Sequence, residues 1–261
     1  MNIKEQYNNL QKNRKKLQFK TVSYENFKSN YTINSKSKSM IAIIIPYREH
    51  VDSTVRFIQL KKFITHVHKF LKNQNVKYTF FVIKQNSYKK RFNRGLLLNI
   101  GFDIAKKYNI IITHDVDMLP DEYLLQYYLH IPKHPIHIAY PGSSVKYSYP
   151  TYIGGINIYN REDYKKINGF PNDFWGWGGE DDAIYDRLAI NNLIVLRPDK
   201  GEIKELPHQS MKELKQFTNL KKWENRIDNI KNWKTNGLKN LKYKIKNHKK
   251  KSFIHIYHID F

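Results

Sequence analysis

IIITHDVD, residues 110–117, decides the fold. Three consecutive isoleucines and a threonine leave no polar face, so the segment reads as a strand buried on both sides of a sheet. Asp115 and Asp117 follow at its carboxyl end, where open α/β sheets bind their ligands. Residues 40–46 (MIAIIIP) and 78–83 (YTFFVI) repeat the apolar pattern. Between them Phe57, Leu60, Ile64, Val67 and Leu71 recur at three- and four-residue spacing, which predicts an amphipathic helix. Residues 96–105 predict a second helix. This alternation implies an α/β fold with a mostly parallel, doubly wound sheet. It also brings residues 46–50 and 115–117 together at adjacent strand ends.

Downstream, residues 152–159 read as a strand interrupted by Gly154 and Gly155, and residues 193–196 as another. Residues 210–234 read as a polar, basic helix that buries Leu214, Phe217 and Leu220. Residues 252–261 (SFIHIYHIDF) alternate as a final strand does. Residues 1–39, rich in lysine and asparagine, read as a flexible or partly helical tail. The expected organisation is a basic tail over 1–39 and one domain over 40–261.

In the 261 residues, 46 Lys and Arg outnumber 23 Asp and Glu, a formal charge of +23, while 14% of residues are aromatic. The positive charge is scattered rather than gathered in one binding element, so it argues weakly for nucleic acid. A basic nucleic-acid-binding protein remains an alternative, with tyrosines interleaved among the lysines. The absence of cysteine fits a reducing compartment, cytoplasmic or similar. With no apolar run of membrane-spanning length, the expectation is a soluble protein without an anchor.

Residues 169–188, GFPNDFWGWGGEDDAIYDRL, carry the densest chemical signal. Glycines 176, 178 and 179 sacrifice backbone entropy and pack nothing, so a mobile loop close to a ligand explains them better than a core does. Trp175 and Trp177 offer flat faces for sugar rings. Glu180, Asp181 and Asp182 fall in the first turn of a helix, where the dipole favours negative charge; a carboxylate there suits a general base. Capping alone would also explain the acids, but not the tryptophans and glycines beside them. Asp115 and Asp117 are hard ligands for a divalent ion that bridges to a diphosphate. His208, with Glu205 three residues earlier, is the best further metal ligand. Arg48 and residues 92–94 lie at other strand ends, suited to phosphate.

Taken together, IIIPYRE (43–49), FNRGLLLNIGF (92–102), HDVDMLP (114–120), YIGG (152–155), INGFPNDFWGWGGEDD (167–182) and NGLKNLKY (236–243) resemble the β-1,4-galactosyltransferase family, in the family's order. The resemblance implies a GT-A fold, Rossmann-like, and an inverting transfer from a UDP-sugar donor with Mn²⁺, or Mg²⁺ in its place. It places Asp117, His208 and Glu205 at the metal. Pro46, Arg48, Phe92, Arg94, Asp115, Val116, Tyr152 and Trp177 fall on the donor, and Gly178, Gly179, Glu180, Asp181 and Asp182 on the acceptor. Asp181 resembles the family's base, with Glu180 beside it. Glu205 departs from the family pattern, which leaves the metal preference open. Tyr152 resembles the tyrosine of galactose-using members, and residues 63–85 (FITHVHKFLKNQNVKYTFFVIKQ) and the sequence around TYIGG look nearer to xylosylprotein than to N-acetylglucosamine transferases. The implied partners are UDP-galactose and a glycan or glycoprotein acceptor, without specific nucleic acid. UDP-N-acetylgalactosamine as donor, or a glycan-binding descendant without turnover, are the alternatives.

Overall fold

A computed structural model of the chain describes residues 2–12, 14–34, 39–49, 54–207 and 217–261. The chain opens with helix α1 (Ile3–Lys12), strand β1 (Gln18–Val22) and helix α2 (Tyr24–Asn30). The alternating core follows as β2 (Met40–Tyr47), α3 (Val55–Leu71), β3 (Lys77–Gln85), α4 (Arg94–Ile104) and β4 (Ile110–His114). Short β5 (Met118–Pro120), α5 (Glu122–Leu125) and β6 (Ile136–His137) lead to β7 (Ile156–Asn160), α6 (Arg161–Lys166) and α7 (Glu180–Ile190). Then come β8 (Ile194–Pro198), β9 (Ile203–Glu205), α8 (Lys222–Asn232), β10 (Lys244–Lys251) and β11 (Ile254–Asp260).

The main sheet has the order β1-β8-β6-β7-β4-β2-β3-β11-β10, and β5 pairs with β9 in a separate ribbon. β2 runs parallel to both β3 and β4, and β11 parallel to β3. Strand side chains alternate between faces, which explains why β2 has no polar residue. Ile41, Ile43 and Ile45 enter one core with Phe63 and Val67 of α3, while Ala42 and Ile44 enter the other with Leu97 and Ile100 of α4.

Several expectations need correction. β7 is antiparallel to β4 and to β6, so a reversed strand lies inside an otherwise mostly parallel sheet. It begins at Ile156, because Gly155 with φ +74° turns the chain just before it. α3 buries Leu60, Phe63, Val67 and Leu71, whereas Phe57 is 46% exposed. Among the described residues of that basic stretch the helix runs over Lys222–Asn232; it buries Ile227 and Asn229, and Leu220 is 80% exposed. Leu214 lies outside the described residues. The segment read as a tail is largely folded. β1 pairs in parallel with β8, and Tyr7, Leu17, Val22, Tyr24 and Phe27 are buried, their apolar spacing masked by intervening lysines and asparagines.

Candidate active site

Ile41 lies beside Ile110 and Ile44 beside Thr113, so β2, which runs two residues further, and β4 release their chains at the same end of the sheet. A cavity of about 510 Å³ opens over these ends. The end of β2 contributes Pro46 and Arg48; the start of α4 contributes Phe92 and Arg94; the end of β4 contributes Asp115, Val116 and Asp117. Tyr152 reaches in from the segment before β7, and Glu205 from β9. Trp177, Gly178, Gly179, Glu180, Asp181 and Asp182 close the opposite side. His208 lies outside the described residues.

Arg94 organises the centre. Asn93 caps α4 by accepting from the Leu96 amide, which fixes Arg94 at the first helical position. Its Nε donates to Asp115 Oδ1 at 2.7 Å, Nη1 to Asp181 Oδ1 at 3.0 Å and Nη2 to the Gly155 carbonyl at 3.2 Å. Burial works against this charge, but Asp115, Asp181 and Glu180 outweigh it and hold the guanidinium firmly protonated. Burial pushes Asp115 up to about 6 against the pull of Arg94. Asp181 is likewise raised by burial and lowered by Arg94. Glu180 is pushed up to about 8 by burial and by its neighbour Asp181. Burial thus raises all three neighbouring acids, while Arg94 pulls each of them down.

Close approach at this centre depends on Gly154. A Cβ there would lie 2.5 Å from Asp181 Oδ2 and 2.6 Å from Tyr152 Cε2.

Asp117 faces the other way. Its Oδ2 lies 2.8 Å from Arg56 Nη1, and its carbonyl accepts from the Leu206 amide at 2.7 Å. Pairing of β5 with β9 sets Met118 opposite Glu205, which brings a second carboxylate to the same corner of the cavity. Hard oxygen donors of this kind suit Mn²⁺ or Mg²⁺, and Asp117 is paired with Arg56 here. Among the described residues, no three His, Cys, Asp or Glu side chains gather in a metal-binding cluster.

The tryptophan loop lies across the segment that precedes α8. The Gly176 amide donates to the Phe92 carbonyl at 2.8 Å, the Trp177 amide to Phe217 at 2.8 Å, and the Asn219 amide to Trp177 at 3.0 Å. Gly176 has φ +97°, and a Cβ there would lie 2.4 Å from the Phe217 carbonyl. Trp175 is not part of the cavity lining: its ring packs toward Phe261 with Lys90 over it. Arg48 donates to the Lys90 carbonyl at 2.8 Å and lies over the Phe92 ring.

Sequence reasoning missed Arg56, Tyr147, Tyr149, Trp223 and Arg226, all of which line the cavity. The run YSYPTY (147–152) was a readable aromatic signal. Trp223 and Arg226, three apart on one helix, share a face, but nothing local tells which face meets the cleft.

Comparison with known proteins adds family and fold. A family profile described as the N-terminal region of glycosyl transferase group 7 matches residues 2–129, and one described as the N-terminal domain of galactosyltransferase matches residues 134–209. The chain is 37% identical over 215 residues to β-1,4-galactosyltransferase 7 of Drosophila melanogaster, covering 78% of this chain and 63% of that protein. It is 33% identical over 217 residues to β-1,4-galactosyltransferase 3 of Homo sapiens, covering 80% of this chain and 52% of that one. The chain therefore spans between half and two thirds of these curated relatives. The crystal structure of the catalytic domain of the Drosophila galactosyltransferase 7 with xylobiose superposes with a TM-score of 0.70 at 33% identity, covering 85% of this chain and 93% of that one. A mutant of the same Drosophila protein in complex with manganese, UDP-Gal and xylobiose matches with a TM-score of 0.66 at 31% identity, over the same shares. No helix among the described residues is long and apolar enough to cross a membrane.

Proposed function

Because the chain belongs to the β-1,4-galactosyltransferase family and has its GT-A fold, we propose that it transfers galactose from UDP-galactose, with inversion, to the hydroxyl of a xylose-type acceptor. The observation that carries this reading is Arg94, one buried guanidinium joining Asp115 on the donor side to Asp181 on the acceptor side.

Asp181 is the general base. It takes the proton of the attacking hydroxyl, and Arg94 holds its Oδ1 at 3.0 Å and pulls against the rise that burial causes. The same guanidinium places positive charge where the diphosphate leaves, a fixed charge that costs no reorganisation during the reaction. Arg48 and Phe92 hold the nucleotide end. Tyr152, brought against Asp181 by the missing side chain of Gly154, selects galactose at the donor. Gly178, Gly179, Glu180 and Asp182 seat the acceptor, and the loop carrying Trp177 excludes the water that would otherwise compete as nucleophile. Asp117, Glu205 and His208 are the residues that would hold Mn²⁺, or Mg²⁺, which when bound supplies charge neutralisation for the departing UDP.

The test is UDP release by the purified protein with Mn²⁺, comparing UDP-galactose and UDP-N-acetylgalactosamine across acceptors ending in xylose or N-acetylglucosamine. The expected result is release that requires UDP-galactose and xylose together. Asp181→Asn should lower turnover by about 10²–10⁴-fold yet leave binding of UDP and Mn²⁺ intact, whereas Asp117→Ala should lose both. Donor binding without release under every acceptor would favour a glycan-binding descendant, and near-normal turnover of Asp181→Asn would remove the assignment of the base.

A further inference from the structure

Helix α7 carries two acids beyond Asp181, Asp182 on the cavity wall and, one turn later, the buried Asp186. Each is met by an arginine from elsewhere in the chain. Arg226 of α8 places Nη1 3.2 Å from Asp182 Oδ2, and Arg14, just after α1, places Nη1 3.3 Å from Asp186 Oδ1. Tyr7 of α1 links the two pairs. Its hydroxyl accepts a hydrogen bond from Arg226 Nη2 and donates to Asp186 Oδ2 at 3.3 Å. The Cζ of the same guanidinium lies 3.9 Å from the centre of the Tyr7 ring, which meets the Trp223 ring at 5.5 Å. The Arg226 side chain is 13% exposed and Asp182 34% exposed, so a mostly buried cation holds a carboxylate that still faces the cavity.

We propose that Arg226 is a positioning residue for acceptor binding, holding Asp182 at the mouth of the cleft while Tyr7 clamps Arg226 from behind. The first helix of the chain thereby builds the outer wall of the acceptor site. The proposal rests on the acceptor reading of Asp182 given above and extends it to residues more than 170 positions away in sequence. An arginine is required because its planar fork serves a carboxylate and a hydroxyl while its face stacks on an aromatic ring, three contacts that a lysine ammonium cannot make together. Arg94 answers Asp181 and Arg14 answers Asp186, so without Arg226 the carboxylate of Asp182 would lose its own ion-pair partner beside two neighbouring acids. Trp223, packed against Tyr7 and lining the cavity beside Arg226, extends the same wall with an aromatic face.

In the intact chain, Arg226→Gln should raise the KM for a xylose acceptor about tenfold, as expected for losing a hydrogen bond to a charged group, with the KM for UDP-galactose changed by less than about twofold. Tyr7→Phe keeps the ring and removes the hydroxyl, so it should move the acceptor KM in the same direction by less. Arg226→Lys restores the charge but not the stacked fork and should recover part of the loss. An unchanged acceptor KM, or an equal loss for donor and acceptor, overturns the proposal. Hydrogen exchange supplies a readout that needs no turnover: Arg226→Gln should speed exchange of the α1 amides and of the first turn of α7. If the wild-type chain uses no acceptor at all, the proposed reaction fails, and the exchange result judges the clamp alone; α1 amides protected as in wild type would sink it.

Discussion

Glu180 shows at the residue scale how position decides chemistry. It begins α7 with 8% of its surface exposed, and its Oε2 finds no hydrogen-bond partner among the described residues. Burial and Asp181 together lift its proton affinity from an ordinary 4.5 up to about 8. An acid raised on folding binds more protons in the native than in the unfolded chain. Its contribution to stability is therefore whole below the unfolded value and is lost as pH rises toward the folded one. Between about pH 4.5 and 8 the wild-type chain should lose stability relative to Glu180→Gln, by on the order of a few kcal/mol across the window. Urea midpoints measured at pH 5, 6.5 and 8 test this; a wild-type-minus-variant difference that does not change with pH removes the argument. The acids themselves were legible, because a charged run after glycines and before an apolar pattern marks a helix start. Their separate roles were not. These depend on Arg94, which arrives from α4, and on Arg56 and Arg226, which come from α3 and α8. No local pattern announces such meetings.

At the scale of elements, runs such as MIAIIIP were readable because a strand buried on both faces has no room for polarity. Direction was not readable: INIYN of β7 is buried throughout, and a reversed strand inside a covered sheet looks like a parallel one. Helix phase also slipped, since Phe57 and Ile64 fit a helical stripe about as well as Phe63, and only packing on β2 chooses between them. Gly101 shows the same limit. In sequence it looks like a weak point in α4, but a Cβ there would lie 2.2 Å from Ile44 Cγ2 and 3.1 Å from Ile83 Cγ1. Its absence is what lets α4 settle onto β2 and carry Arg94 to the level of the strand ends. Gly101→Ala gains about 1 kcal/mol of helix propensity and loses about 1–3 kcal/mol to overpacking. The expected outcome is a net destabilisation in urea, with a rise in stability indicating that α4 can shift outward freely.

At the scale of the whole molecule, the excess of 23 positive charges is partly a matter of edges. β10, KIKNHKKK, is exposed along its length and forms the last strand of the sheet, and lysines there discourage pairing with another chain. Composition was therefore a poor guide to partners, and it misled at the other end as well. The basic N-terminal segment looked like a tail, but it closes the opposite edge through β1 and covers one core through α2. Phe27 has no exposed surface, stacks on Tyr127 at 5.0 Å and packs beside Tyr24. Two backbone contacts tie the same region to the domain, the Tyr24 amide donating to the Tyr123 hydroxyl at 3.0 Å and the Tyr127 hydroxyl to the Val22 carbonyl at 2.9 Å. A residue in a detachable tail can be truncated without cost, whereas one in a shared core leaves a cavity that its neighbours fill only in part. Phe27→Ala should therefore lower the stability of the entire chain by about 3–5 kcal/mol, in a single cooperative urea transition followed both by tryptophan fluorescence and by far-ultraviolet circular dichroism. A variant as stable as wild type, or a separate early transition confined to the first forty residues, would return that segment to the status of an appendage.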